Sequence, residues 1–223
     1  MKIGTIEITA VESQPFAENT YILAVEGNQE CLVVDPGFEP NKIFDELSRL
    51  NLIPAVILNT HGHSDHIAGN THMKERWPDA PLVIGTGDAP KLTDPTLNLS
   101  AAFGGNLVSC PADQTVDEDE TISFAGIQME VLDTPGHSSG HVIFVIKQVE
   151  PWIIIGGDVL FAGSVGRTDF PDGSFEQLKD AIHKKMFVLP EETIVLPGHG
   201  PSTTIGHEKR SNPFVGAQAG YNV

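Results

Sequence analysis

Basic residues are scarce in this chain. Lys and Arg number 13 against 30 Asp and Glu, a formal net charge of −17. So acidic a chain is repelled by phosphate backbones, which argues against a nucleic-acid partner. Long apolar runs are missing as well. No stretch approaches the roughly 18 uninterrupted apolar residues of a membrane-crossing helix. The opening MKIGTIEITAVES alternates polar and apolar residues like a strand and lacks the apolar block of a signal peptide. Cysteine is limited to Cys31, inside a strand-like run, and Cys110. Two thiols without a pairing pattern or an export signal read as reduced and inert, in a cytoplasmic protein with no membrane partner. Repeats, low-complexity tracts and long linkers are also lacking. What remains is 40% hydrophobic over 223 residues, enough for a single domain, residues 1–223, with a substantial core.

The periodicity predicts strands at 2–10, 20–26 and 30–35, with Gly27 and Asn28 turning between the last two. A helix follows at 41–50, where Ile43, Phe44, Leu47 and Leu50 share one face. A buried strand at 55–59, a helix over 67–77 ended by Pro78, and a strand at 81–85 come next. The middle reads as strands at 106–109, 121–124, 127–133, 141–147 and 152–156. A helix over 174–187 opens on a Ser174/Gln177 capping pair. A strand at 193–196 and a short helix after Thr204 complete the pattern. This order is α/β in character (α+β in its segregation) and predicts two mixed sheets packed together with helices outside, a four-layer αββα sandwich.

The segment NTHGHSDHIAGN, residues 59–70, crowds His61, His63, Asp65 and His66 just past a predicted strand. On a helix, positions two apart point about 200° apart, whereas on extended backbone His61 and His63 share a face. Asp65 and His66 follow as the chain turns into the helix and aim elsewhere. A solvated polar loop is the alternative, and the density of ligand types weighs against it. The same local pattern recurs. His137, Asp158 and His199 each follow an apolar run and are flanked by glycine, and function tends to sit on loops held by a rigid scaffold. The set of five imidazoles and two carboxylates, with no thiolate, suits zinc, iron or manganese. Seven ligands exceed one tetrahedral site and suit two divalent ions sharing a bridge, for which the carboxylate of Asp158 is the natural candidate. His141 is read as a supporting or structural residue, His72 and His183 as solvated, and His207 as a surface or helix-end residue. Arg167 either binds a substrate carboxylate or braces its own loop through Asp169.

THGHSDH at 60–66, TPGHSSGH at 134–141, GGDVLF at 156–161 and LPGHG at 196–200, with NTYIL and VVDPG near the start, resemble the metallo-β-lactamase-fold hydrolases along nearly the whole chain. FAGSVGRTDFPDGS and GHGPSTTIGHEKRSNPF are similar to the glyoxalase II-like, hydroxyacylglutathione hydrolase branch, in particular its short single-domain members. The resemblance implies that His61, His63 and His137 hold a first metal, that Asp65, His66 and His199 hold a second, and that Asp158 bridges them. Zinc is the first expectation, with iron and manganese also used in the family. It implies hydrolysis of a small-molecule thioester such as S-D-lactoylglutathione by activated water, with Asp65 orienting that water and no Ser or Cys nucleophile. The complete second ligand set argues against β-lactamase activity. The chain ends at Val223, soon after His199, so the helical domain that helps full-length glyoxalase II hold glutathione is not expected. The runner-up classes are a mononuclear iron persulfide dioxygenase and a lactonase.

Overall fold

The computed structural model describes residues 1–223. Seven strands form one mixed sheet in sequential order: β1 (Lys2–Ile3), β2 (Ile6–Ser13), β3 (Glu18–Val25), β4 (Glu30–Val34), β5 (Ile53–Asn59), β6 (Leu82–Gly85) and β7 (Gln114–Val116). The first four pair antiparallel and β4 to β7 run parallel. Parallel neighbours need crossovers: helix α1 (Pro40–Leu50) joins β4 to β5, helices α2 (Ser64–Ile67) and α3 (Asn70–Arg76) join β5 to β6, and a segment with two short 3-10 turns joins β6 to β7. Pro40 opens α1, and Asn51, in a left-handed conformation (φ 55°), ends it.

The second sheet runs β8 (Thr121–Phe124), β9 (Ile127–Asp133), β10 (Val142–Ile146), β11 (Ile153–Gly157), then β14 (Ile194–Pro197) and β15 (Thr203–Thr204). Between β11 and β14 the chain makes a small ribbon, β12 (Leu160–Phe161) with β13 (Ser164–Val165), and helix α4 (Phe175–Ala181). Helix α5 (Ile205–Ser211) follows β15.

Strand alternation sorts the apolar side chains into layers. Leu32 and Val34 face the partner sheet while Cys31 and Val33 face α1; Val142, Phe144 and Ile146 face inward while Ile143 and Val145 meet α4. Both faces of these strands are buried, so their sequences read as continuous apolar runs. The central cluster lies between the sheets and one cluster lies under each helical layer, which is the αββα sandwich predicted. No helix is long and apolar enough to cross a membrane. Cys31 is buried under α1, and burial pushes its thiol up to about 12.

Three local expectations change. The strand predicted over 2–10 breaks at a turn containing Gly4 (φ 54°). The helix predicted over 67–77 starts earlier and divides at Gly69, whose N–H donates to the Pro36 carbonyl at 2.7 Å. Residues 106–109 are not a strand. The Ser100 hydroxyl accepts from the Leu107 N–H (3.0 Å) and the Asn98 amide donates to the Leu107 carbonyl (2.9 Å), so side chains take the groups a ladder would have used.

Candidate metal centre

All seven ligand-type residues converge at one end of the sandwich. His61 and His63 lie on the extended segment after β5, and their rings are 4.7 Å apart. Asp65 and His66 sit on α2, turned toward a neighbouring position. His137 comes from the loop between β9 and β10, Asp158 follows β11, and His199 follows β14. Their ligand atoms gather as His61/His63/His137, His61/His66/Asp158 and Asp65/His66/His199. Asp158 is central: its carboxylate lies 3.5 Å from His66 Nε2, 3.4 Å from His137 Nε2 and 3.4 Å from His199 Nε2. Asp65 approaches His199 Nε2 at 3.4 Å and His66 Nε2 at 3.8 Å.

The donor set fits divalent ions on two counts. First, the proton positions are fixed from outside. Nδ1 of His137 faces the Arg167 carbonyl (2.8 Å) and Nδ1 of His199 faces the Phe16 carbonyl (3.1 Å). Nδ1 of His66 meets the Asp35 carboxylate (3.1 Å). Nδ1 of His61 meets the Thr60 hydroxyl (3.1 Å), which itself donates to Asp35 (2.7 Å). Carbonyls and carboxylates only accept, so these imidazoles donate outward and turn a bare Nε2 inward, the usual disposition of metal-binding histidines. Second, buried polar atoms are left without partners: Nε2 of His61, His63 and His66, and Oδ1 of Asp158. Orphaned buried groups are costly unless something pairs with them. A tetrahedral ion with ligands at about 2.0–2.1 Å separates them by roughly 3.4 Å, close to the contacts made by Asp158.

Glycines give the centre its room. Gly157 adopts a left-handed φ of 47°, and a Cβ at Gly198 would collide with the Asp158 carboxylate and with His66. Beside Gly157, the buried His141 accepts from the Asp158 N–H through Nε2 (3.1 Å) while Nδ1 bonds the Thr134 hydroxyl (3.0 Å). His141 is therefore a positioning residue for Asp158. Two supports were missed in the sequence. Asp35, at the end of β4 in VVDPG, carried the same signal as Asp158, a carboxylate closing an apolar strand. Asp88 carried none. It is fully buried and accepts from the Gly62 N–H (2.8 Å), the Gly140 N–H (2.9 Å) and the Ser138 hydroxyl, with Lys91 Nζ at 3.3 Å. It thus ties the His61/His63 loop to the His137 loop. Lys91 reaches on to Ser138 and, at 2.6 Å, to Asp172.

Burial holds His61 and His141 well below the ordinary imidazole range, and burial together with the neighbouring His137 takes His63 down to about 3. Burial also opposes charge on His66 and His199, but Asp158 and Asp65 outweigh it, holding His66 well up and His199 at about 10. For Asp158 burial works upward and is overcome by His66 and His199, leaving it well below the usual carboxylate range. A stability prediction for the metal-free protein follows. His61, His63 and His141 stay neutral when folded but protonate near 6.5 when unfolded, so their contribution is whole above 6.5 and is lost progressively as pH falls below it, for His63 down to about 3. Each adds a slope of up to about 1.4 kcal/mol per pH unit. Urea midpoints of the chelated protein should fall steeply between pH 6.5 and 4; a flat profile there would contradict neutral burial.

The metal centre opens into a cavity of about 220 Å³ lined by Phe16, Leu99, Phe103, Phe161, Arg167 and Phe170 beside the ligand residues. Arg167 reaches this lining, where it forms a two-pronged pair with Asp169 (3.0 and 2.9 Å) and lies 4.6 Å over the Phe170 ring.

The chain belongs to the metallo-beta-lactamase superfamily, whose family model matches residues 14–199. It is 39% identical over 202 residues to a probable metallo-hydrolase, YqgX, of Bacillus subtilis, covering 90% of this chain and 93% of that one. It is 33% identical over 222 residues to the hydroxyacylglutathione hydrolase GloC of Haemophilus influenzae, covering 98% and 100%. Among solved structures it resembles the B3 metallo-beta-lactamase BLEG-1 (TM-score 0.89, 35% identity, 94% and 99% covered) and a di-iron form of TTHA1623 (0.79, 36%, 92% and 99%). The protein is a metallo-hydrolase of this superfamily, with His/Asp clusters suited to divalent metal ions.

Proposed function

We propose that the protein is a dinuclear metal-dependent thioester hydrolase of the glyoxalase II type, acting on small-molecule thioesters such as S-D-lactoylglutathione. The observation that carries this reading is the position of Asp158, within 3.5 Å of histidines from both ligand groups. His61, His63 and His137 would hold one ion, and Asp65, His66 and His199 the other, with Asp158 between them; zinc is the ion this nitrogen and oxygen set suits first, ahead of iron and manganese. Such ions supply Lewis acidity that polarises a carbonyl and lowers the pKa of water. The chain's own residues do the rest. Asp65 lines the cavity with its carboxylate 3.4 Å from His199 Nε2, where it orients the attacking water. The outward-facing Nδ1 groups of His61, His66, His137 and His199 hold those rings with Nε2 aimed at the centre. The water gives up a proton to solvent as its oxygen bonds to the acyl carbon, the C–S bond breaks, the acid product leaves as its carboxylate with loss of the second proton, and the thiolate departs and takes up a proton in solvent.

Thioesters suit the lining better than amides. Beyond the proposed ligands, its polar side chains are Ser64, Asn98 and Arg167, none of them an acid at neutral pH. A thiol with a pKa near 8.5 departs without protonation, whereas an amine needs a proton from the site. The test is metal analysis joined to a substrate panel of thioesters, lactones, a β-lactam and glutathione persulfide. Two ions per chain with thioester turnover are expected. One iron per chain, with sulfite formed from the persulfide and oxygen, would replace this reading with a dioxygenase.

A further inference from the structure

Phe16 and Phe103 line the cavity with Leu99, and Phe38 leans on Phe16. The Phe16 ring lies 5.9 Å from each of the other two rings. These rings are 40%, 61% and 39% exposed for Phe16, Phe103 and Phe38. So much aromatic surface left beside a cavity marks a binding site for apolar matter. The wall is also tied to the centre. The Phe16 carbonyl accepts from His199 Nδ1 (3.1 Å). Leu99 is held at a left-handed φ of 68° next to Asn98, whose carbonyl accepts from the Ser64 N–H (2.9 Å). A leucine in that conformation persists only where its surroundings impose it. The charge pattern agrees. Arg167, the sole Lys or Arg of the lining, is paired with Asp169, and the chain as a whole carries −17. Among its side chains the lining therefore offers an anionic thiol no unpaired Lys or Arg.

We propose that Phe16, Leu99 and Phe103 form a subsite for an apolar chain, so that the centre takes ester or thioester substrates bearing an alkyl or aryl arm. This rests on the hydrolase reading for its chemistry but not for its binding. The cavity holds the volume of roughly seven waters, room for an arm of about six carbons.

The binding test uses methyl alkyl ketones from butanone to 2-decanone, whose arms run from two to eight carbons, which are neutral and cannot be hydrolysed, titrated into metal-loaded protein by calorimetry. Affinity should rise about three- to fourfold per methylene and level off near six carbons. Phe103→Ala should reduce the rise to less than twofold per methylene, and Phe103→Leu should restore most of it. Affinity independent of chain length, or a rise that Phe103→Ala leaves intact, overturns the subsite whether or not thioesters are hydrolysed. Ketone binding as described with no turnover of any thioester or ester keeps the subsite and overturns the hydrolase reading. Two kinetic series then tell which side of the carbonyl carries the arm: acyl chains on N-acetylcysteamine, and acetyl thioesters of alkanethiols. A dependence of kcat/KM on length in one series assigns the arm to that side; no dependence in either, with turnover present, removes the subsite from catalysis and overturns the proposal.

Discussion

Asp158→Ala is expected to lower kcat/KM at least 10³-fold, about 4 kcal/mol of transition-state stabilisation, and to reduce the bound metal at both positions. The cause is geometric. One carboxylate stands 3.4–3.5 Å from His66, His137 and His199, so its loss removes a ligand from each group and leaves the imidazoles to repel one another once charged. The variant should still fold, because the Asp158 side chain lines the cavity and the tie to His141 is made by its backbone N–H, which alanine keeps. Rates measured beside metal content per chain decide the matter. Activity above a tenth of the unsubstituted protein with both ions retained would falsify the bridging assignment. His199→Ala and His137→Ala give the finer reading, since each should empty a different position first.

The second large effect is on stability and arises away from the ligands. Asp88→Ala should destabilise the protein by about 3–5 kcal/mol, because it removes one member of a buried charged network and orphans two amide donors, Gly62 and Gly140. For a chain of this size each kcal/mol shifts the midpoint by about 2–4 °C, so Tm should fall by roughly 6–20 °C. Gly62 stands between His61 and His63, and Ser138 follows His137, so affinity for the first metal should fall as well. Thermal melts with and without chelator separate the effects: the destabilisation persists in the metal-free protein, while the metal-dependent part of Tm shrinks. A melt unchanged within 2 °C would show that Asp172 and Ser138 suffice for Lys91 and that the loops need no carboxylate between them.

The candidate ligands were legible in the sequence through local rules: His61, His63, His137, Asp158 and His199 are ligand-type side chains next to glycine just past an apolar run, and Asp65 and His66 complete the first crowded segment. His61 and His63 sharing a face required only that the backbone be extended, and His63 has φ −71° and ψ 150°. The layers were legible for a similar reason, since Val33 and Val34 buried on opposite faces make an apolar run without alternation. What escaped is relational. Asp88 looks like any acidic residue in a turn, and its meaning lies in Gly140, 52 positions away. The sequence does not separate a supporting from a structural role for His141, because only the fold brings the Asp158 N–H to its ring. For Arg167 the sequence offers substrate binding or a brace to Asp169, and the fold places it on the lining with its guanidinium paired to Asp169. Residues 106–109 misled because a β-prone segment was satisfied by Asn98 and Ser100 instead of by a neighbouring strand.

The ligand loops do not come from one sheet. His61, His63, Asp65 and His66 follow β5 in the first, while His137, Asp158 and His199 follow strands of the second. An ion at either position is then a cross-link between halves whose contact is otherwise a film of side chains such as Leu58, Phe144 and Ile155. Loading the centre draws its free energy from the docked arrangement alone and so deepens the native state relative to any form in which the sheets have parted. Chelation would therefore speed the parting of the two halves, and hydrogen exchange would register it first along β5 and β11, the strands nearest the lost ties.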